Sequence, residues 1–516
     1  MRLIDFFDRA VDLTPERVFV QHGQVALTYA EAADWTHRIA RALQDAGFGP
    51  GSRVGLYTAN DWRGLLAIFG LFRAGCVMTP VNARNAAAQN SETLQTLGVE
   101  ALFYHADFSE EVAEATAACP RLRLLICLDQ PHGSHPALDD WAAPSGAHAN
   151  EVAQQPQDLW ALYATSGTTG KPKGVQHTHL TNLVTSMDML LSMRVHAPVR
   201  HLVVAPMTHF AGTFLFALTV TGSTHILLEK PDPTLILEAL EREQVEVTFL
   251  PPTLIYRLLA EPSCRQRDYS HLKTFAYAAA PMAEDKLREA IAVFGPVMMN
   301  MFGQAEALGP ISFLPPADHR PDAGAPWDER LRSIGRASYL RRVAVMDDAG
   351  ALLPPGEVGE VVLRSWGVTP GYLDQPEATT EAFRHGWYHT GDLGRADAEG
   401  YVTLVDRKKD MIITGGFNVY SAEVEQALLS HPTVLEAAVI GIPDPQWGEA
   451  VTAFVELKPG LEATPEELTA TVRAKLGGVK TPKSLEIWES LPRNATGKVL
   501  KQQIRAPYWE GRDRKI

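Results

Sequence analysis

Cysteine is scarce in this chain: Cys76, Cys119, Cys127 and Cys264 are the four in 516 residues. No two are spaced as Cys-x-x-Cys, so the sequence encodes neither a zinc array nor a dithiol redox pair. Reduced, mostly buried thiols suit a cytosolic compartment. A surplus of positive charge is also missing. Lys and Arg number 47 against 61 Asp and Glu, a net charge of -14. Such a surface repels a phosphate backbone, which argues against nucleic acid as a partner. It does not bar a small anion, because amide N–H groups and a few lysines can hold a phosphate locally. Long apolar runs are absent as well. The greasiest stretch, 210–220, is too short to span a bilayer and contains Gly and Thr. Asp5 and Asp8 fall where a signal peptide needs an unbroken apolar core, so the N-terminus reads as a short amphipathic helix. A cytoplasmic protein with no transmembrane segment is expected, free of repeats and low-complexity tracts.

What is present is globular. Apolar residues make up 46% of the chain and charged residues 21%, ample for a core, and the length calls for at least two domains. Strand-like and helix-like segments alternate through the first four hundred residues. Residues 53–57 read as a buried strand, 61–72 as a helix and 76–80 as the next strand, and the rhythm returns at 202–206, 245–250 and 274–278. This pattern predicts mostly parallel sheet covered by helices. After about residue 320, short strands at 343–346 and 359–364, separated by Gly, Pro and Asp, predict a small barrel-like subdomain. Beyond a basic segment at 406–410, helices at 421–430 and 465–476 and strands at 437–440 and 450–455 predict a smaller α+β domain. The expected fold is α/β: a large domain over 1–408 and a mobile α+β domain over 409–516.

The most telling segment is Thr165-Ser166-Gly167-Thr168-Thr169-Gly170-Lys171-Pro172-Lys173-Gly174. It follows an apolar strand at 159–164 and precedes a helix at about 179–191. Its glycines let successive N–H groups turn toward one anion, while hydroxyls add donors and lysines add charge. A Walker A loop needs four residues between its glycines and a Ser or Thr after its Lys. Here two residues separate Gly167 and Gly170, and Pro172 follows Lys171. The segment is a phosphate loop of another kind.

This decapeptide resembles the signature loop of the adenylate-forming superfamily, which includes acyl- and aryl-CoA ligases, beetle luciferases and peptide-synthetase adenylation domains. Further motifs resemble that family's in the same order: Pro206-Met207-Thr208-His209-Phe210, Tyr277-Ala278-Ala279-Ala280-Pro281-Met282, Phe302-Gly303-Gln304-Ala305-Glu306, Tyr388-His389-Thr390-Gly391-Asp392, residues 407–425, and Asn494-Ala495-Thr496-Gly497-Lys498. The chain is similar to the acyl-/aryl-CoA ligase branch over nearly its whole length.

The resemblance implies ATP, Mg²⁺ and CoA as cofactors and assigns each motif a role. Lys498 and Thr168 would stabilise charge on the α-phosphoryl oxygens. Glu306, with the Thr165 hydroxyl, would ligate Mg²⁺, which prefers oxygen donors and keeps several waters. Ser166, Gly167, Thr169 and Lys173 would complete the phosphate site. Ala279, Ala280 and Pro281 would lie beside the adenine, and Met301, Phe302 and Gly303 would also bind the cofactor. Asp392 would accept from the ribose hydroxyls, reinforced by Arg407. Lys409 resembles the hinge about which the small domain swings between half-reactions, and Gly415 and Gly416 the loop lining the thiol path; a tight turn is the plainer reading of that pair. Ala305 departs from the family, whose usual Thr contacts the α-phosphate.

The expected acid pocket comprises His209, Phe210, Thr213, Tyr277, Ala278 and Leu308, beside Met301 and Phe302. It is mostly apolar, which points to a hydrophobic monocarboxylic acid, aromatic or medium-chain. His209 reads equally as a gate and as a core histidine. Two alternatives stay open: an adenylating enzyme that loads a carrier-protein thiol, and a nucleotide-binding relative without turnover, hinted at by Ala305. A homodimer is also left open.

Overall fold

The computed structural model describes residues 1–83, 85–142, 148–165, 172–320, 327–493 and 499–510. The chain divides into two compact units, residues 1–343 with 363–388, and residues 344–362 with 389–516.

Two large sheets organise the first unit. A six-stranded sheet runs in the order Leu124–Cys127, Ala101–Tyr104, Arg53–Tyr57, Val77–Pro80, Leu159–Thr165, Lys173–Thr178. All its pairings are parallel except the last, an antiparallel hairpin that sets Thr165 opposite Lys173. A nine-stranded sheet has parallel strands at its centre, including Val247–Leu250, Thr274–Tyr277 and Met298–Gly303, and antiparallel pairs at both edges. The parallel strands are apolar runs buried on both faces, as helix-covered sheets require. Helix Trp62–Arg73 is buried along almost its whole length, and Asp61 caps it by accepting from the Arg63 and Gly64 N–H groups. The expected N-terminal helix is Leu3–Leu13. It places Phe7 5.1 Å from Phe19 and 5.0 Å from Phe69, ring centre to ring centre, within the main core.

One element differs from expectation. The helix expected at about 179–191 is present, but an unexpected strand precedes it. Strand Lys173–Thr178 intervenes, and helix His179–Met193 starts after it. Residues 166–171 thus lie in sequence between two strands paired antiparallel, Leu159–Thr165 and Lys173–Thr178.

A four-stranded sheet comprises Arg342–Met346, Gly359–Arg364, Tyr388–Ala396 and Val402–Arg407, the first two of which are the strands expected at 343–346 and 359–364. A five-stranded sheet of the second unit is built on the long antiparallel pair Val434–Asp444 and Gly448–Leu457. Helices Ser421–Leu429 and Pro465–Leu476 supply Val424, Leu428, Leu468 and Val472 to its core. Among the described residues no helix is long and apolar enough to cross a membrane.

Candidate active site

Strands Thr274–Tyr277 and Met298–Gly303 are parallel neighbours, so their carboxyl ends open on the same edge of the sheet. Ligands of open α/β sheets bind at such edges. The first strand delivers Ala278, buried, and then Ala279, Ala280 and Pro281, all exposed. Ala279 has φ +74, a left-handed conformation that a residue bearing a Cβ holds at a cost. The second strand delivers buried Met301, half-buried Phe302 and exposed Gly303, then a 3₁₀ turn over Ala305–Ala307 that carries Glu306. Gly303 is required by close approach: a Cβ there would sit 2.5 Å from the Gly309 carbonyl oxygen.

Three separate parts of the chain grip this turn. His177 Nε2 donates to Ala305 O at 2.9 Å, the Thr369 N–H to Glu306 O at 2.7 Å, and Arg341 Nη2 to Ala307 O at 2.9 Å. Since a carbonyl only accepts, Nε2 of His177 carries the proton. Burial pushes this imidazole down to about 3, so it is a neutral donor. Arg341 is itself fully buried, with Asp188 3.2 Å away and equally buried. Asp188 also accepts from Ser338 Oγ at 2.6 Å and from the Leu340 N–H at 3.0 Å.

The Glu306 carboxylate accepts from the Tyr372 hydroxyl at 2.9 Å through Oε1. Burial, with the Glu306 charge behind it, holds that phenol above its usual value and thus protonated. Lys173 Nζ lies 4.8 Å from the centre of the Tyr372 ring, a cation–π distance. Thr165 and Lys173, paired across the hairpin, are thereby joined through Tyr372 to Glu306. Tyr388 donates to Gln304 Oε1 at 3.0 Å. Tyr372, His177, Thr369, Arg341 and Asp188 were not singled out from sequence.

Glu306 Oε2 makes no hydrogen bond among the described residues, and those residues contain no cluster of three His, Cys, Asp or Glu side chains able to cage a metal. One carboxylate oxygen open to a hard cation suits Mg²⁺, which takes its remaining ligands from water and phosphate. Ser166, Gly167, Thr168 and Thr169, with Lys498, lie outside the described residues.

The expected acid-pocket residues differ in availability. Phe210 is half-buried against Phe249, 5.0 Å between ring centres, and His209 Nδ1 lies 2.9 Å from Thr208 Oγ1. Thr213 is buried, and its hydroxyl donates to Phe210 O at 2.7 Å within its own helix. Tyr277 is buried too. Its hydroxyl donates to His319 Nε2 at 3.0 Å, while His319 Nδ1 donates to Pro315 O at 2.9 Å. Tyr277 thus presents no free hydroxyl and acts as a pin beneath Ala278. Leu308 is buried with φ +58. A cavity of about 690 Å³ elsewhere in this unit is lined by Val184, Trp366, Val368, Phe383 and Tyr388, and by none of the expected pocket residues.

In the second unit Asp392 and Arg407 face each other across an antiparallel pair, Asp392 Oδ1 3.3 Å from Arg407 Nε. Asp392 is buried, and Arg407 and Lys409 are exposed. Gly415 and Gly416 form the two-residue turn between Ile412–Thr414 and Phe417–Val419, with φ +56 and +81. Two positive values mark a mirror-image turn that glycine alone enters freely.

A family model described as AMP-binding enzyme matches residues 7–373, and one described as AMP-binding enzyme C-terminal domain matches residues 423–498. The chain belongs to the AMP-binding enzyme family, in its acyl-CoA ligase branch. It is similar to the medium/long-chain-fatty-acid–CoA ligase FadD8 of Mycobacterium tuberculosis, 34% identical over 512 residues covering 96% of this chain and 88% of that protein. It is 36% identical to the feruloyl-CoA synthase of an Amycolatopsis species over 499 residues, covering 96% and 97%. Among solved structures it is similar to the amide bond synthetase McbA from Marinactinospora thermotolerans, with a TM-score of 0.87 at 30% identity over 98% of this chain and 100% of that one.

Proposed function

We propose that the chain is a cytoplasmic enzyme that joins a hydrophobic monocarboxylic acid, aromatic or medium-chain, to CoA at the expense of ATP. The observation that carries this reading is the link from the phosphate-loop hairpin through Lys173 and Tyr372 to Glu306, within a chain that the family model matches from residue 7 to 373. In the first half-reaction an acid oxygen attacks the α-phosphorus and pyrophosphate leaves, replacing oxide, a very poor leaving group, with AMP. In the second, the CoA sulfur attacks the acyl carbon, AMP departs with the C–O electron pair, and the thiol proton passes to solvent.

Glu306 and Thr165 would hold Mg²⁺, which supplies charge neutralisation between the phosphates. Lys173 and the 166–169 segment bind the phosphates, residues 279–281 lie beside the adenine, residues 301–303 also bind the cofactor, and Ala305 stands where the family usually has a Thr. Asp392 accepts from the ribose and Arg407 steadies it. Lys498 brings its ammonium to the α-phosphoryl oxygens for adenylation. A turn about Lys409, at the 408/409 boundary, then exchanges it for Gly415 and Gly416 along the thiol path. The apolar character of Phe210, Ala278, Met301 and Leu308, together with a fatty-acid ligase and a feruloyl-CoA synthase among the relatives, supports the acid class.

The test is acid-dependent pyrophosphate release from MgATP, followed by CoA-dependent AMP release, across aromatic and C6–C14 acids. A carrier protein offered in place of CoA separates the two thiol acceptors. No acid-dependent pyrophosphate release across the panel would sink the proposal.

A further inference from the structure

A group of charged side chains withdrawn from water lies in the second unit, on residues that follow Lys498 in sequence and their partners. Helix Lys501–Trp509 begins three residues after that lysine. Two of its cations, four residues apart and so on one face, are turned away from water. Lys501 Nζ lies 2.6 Å from Glu425 Oε1 and donates to Ser421 Oγ at 2.8 Å. Arg505 Nη2 donates to Asp410 Oδ1 at 2.9 Å. Side-chain exposures are 19% and 15% in the first pair and 14% and 11% in the second, so these are not the screened surface pairs that contribute little. Ser421 and Glu425 lie on helix Ser421–Leu429, and Glu425 also accepts from the Val439 N–H at 2.7 Å. Asp410 is the residue next to Lys409.

The chain on the other side of residues 494–498 is also held. Arg493 and Val499 form an antiparallel bridge, and the Leu500 N–H donates to Pro492 O at 2.8 Å. The Arg493 guanidinium reaches Glu456 at 3.0 Å and Glu436 at 3.4 Å. Residues 493 and 499, which flank 494–498 in sequence, are therefore held together.

We infer that Lys501 and Arg505 are positioning residues, which fasten the chain after Lys498 to helix Ser421–Leu429 and to the residue beside the hinge. A turn about Lys409 then carries Lys498 with it and is not lost as slack in a loose tail. The inference rests on the role proposed above for Lys498. Its physical basis is that a misplacement of about 1 Å at a reacting centre can cost on the order of a hundredfold in rate. The clamp restrains helix Lys501–Trp509, three residues after Lys498 in sequence.

The two half-reactions, measured separately on the full chain, test this. Adenylation is read as acid-dependent pyrophosphate release, and thiolysis as CoA-dependent consumption of supplied acyl-adenylate. Lys501→Ala and Arg505→Ala are expected to lower adenylation about ten- to a hundredfold with thiolysis unchanged, and Lys501→Arg to recover adenylation. A merely structural role would depress both half-reactions together; that result, or unaltered adenylation in both alanine variants, overturns the inference. Lys501→Met and Arg505→Gln keep the aliphatic stems and serve if the alanine variants do not fold. Lys498→Ala, run in parallel, separates the two levels. Intact adenylation in that variant removes the role of Lys498 itself. Its loss there, with parallel losses of both half-reactions in the clamp variants, removes only the clamp.

Discussion

Glu306 and Tyr372 form the pair whose variants report most directly on the site. Glu306→Gln keeps the shape and removes the charge, and adenylation should fall by about two orders of magnitude or more, measured as pyrophosphate release at saturating ATP. Tyr372→Phe withdraws one hydrogen bond from a charged group, a loss of about 1.5–3 kcal/mol. It should raise the Mg²⁺ concentration needed for half-maximal adenylation while leaving the KM for the acid in place. An unchanged Mg²⁺ dependence would detach Tyr372 from the metal-binding role proposed for Glu306. Ala305→Thr should keep or raise the adenylation rate, because the Ala305 carbonyl is already taken by His177 and the backbone has no reason to move. Glu306 and Thr165 stand out in the sequence because each sits in a contiguous motif. Tyr372, His177, Thr369 and Arg341 do not, since their partners lie far along the chain and nothing local marks them.

At the scale of elements, the parallel strands were legible because they are short apolar runs between turn residues. Strand Lys173–Thr178 was missed for the opposite reason. Its buried positions are filled by Gly174, Val175, His177 and Thr178, which show no alternation of apolar and polar residues. The same masking hides the buried pair between helix His179–Met193 and residue 341, because Asp188 and Arg341 read as solvated charges until their surroundings are known. Asp188→Asn leaves the Arg341 guanidinium buried and uncompensated. Breaking such a pair costs about 3–5 kcal/mol, to be read as a lower midpoint in chemical denaturation. Because Arg341 also supports the Glu306 turn, adenylation should suffer in the molecules that remain folded.

For the whole molecule, acid is the revealing perturbation. His177 and His201 are pushed down to about 3 and His319 to about 4, and His225 is held well below its ordinary value, in each case by burial first. The unfolded chain takes up protons at these positions below about pH 6.5 while the folded chain does not. Stability contributed by the neutral histidines is therefore complete above that pH and drains away as the pH falls toward 4. The loss is on the order of 2 kcal/mol per histidine by pH 5. Thermal unfolding between pH 7.5 and 4.5 should show this decline, and replacing the contacting pair His201 and His225 by Asn and Gln should flatten it.

The Glu306 turn is gripped from residues 177, 341 and 369, with Tyr372 on the carboxylate itself. During synthesis on the ribosome, the segment bearing Glu306 emerges well before the last two of these holders. A nascent polypeptide that has reached strand Met298–Gly303 still lacks parts that hold the Glu306 turn and its carboxylate. Thr369 and Tyr372 come after that turn, and Lys498, the lysine proposed for adenylation, comes later still, so a copy that stops near Glu306 has no means of wasting nucleotide.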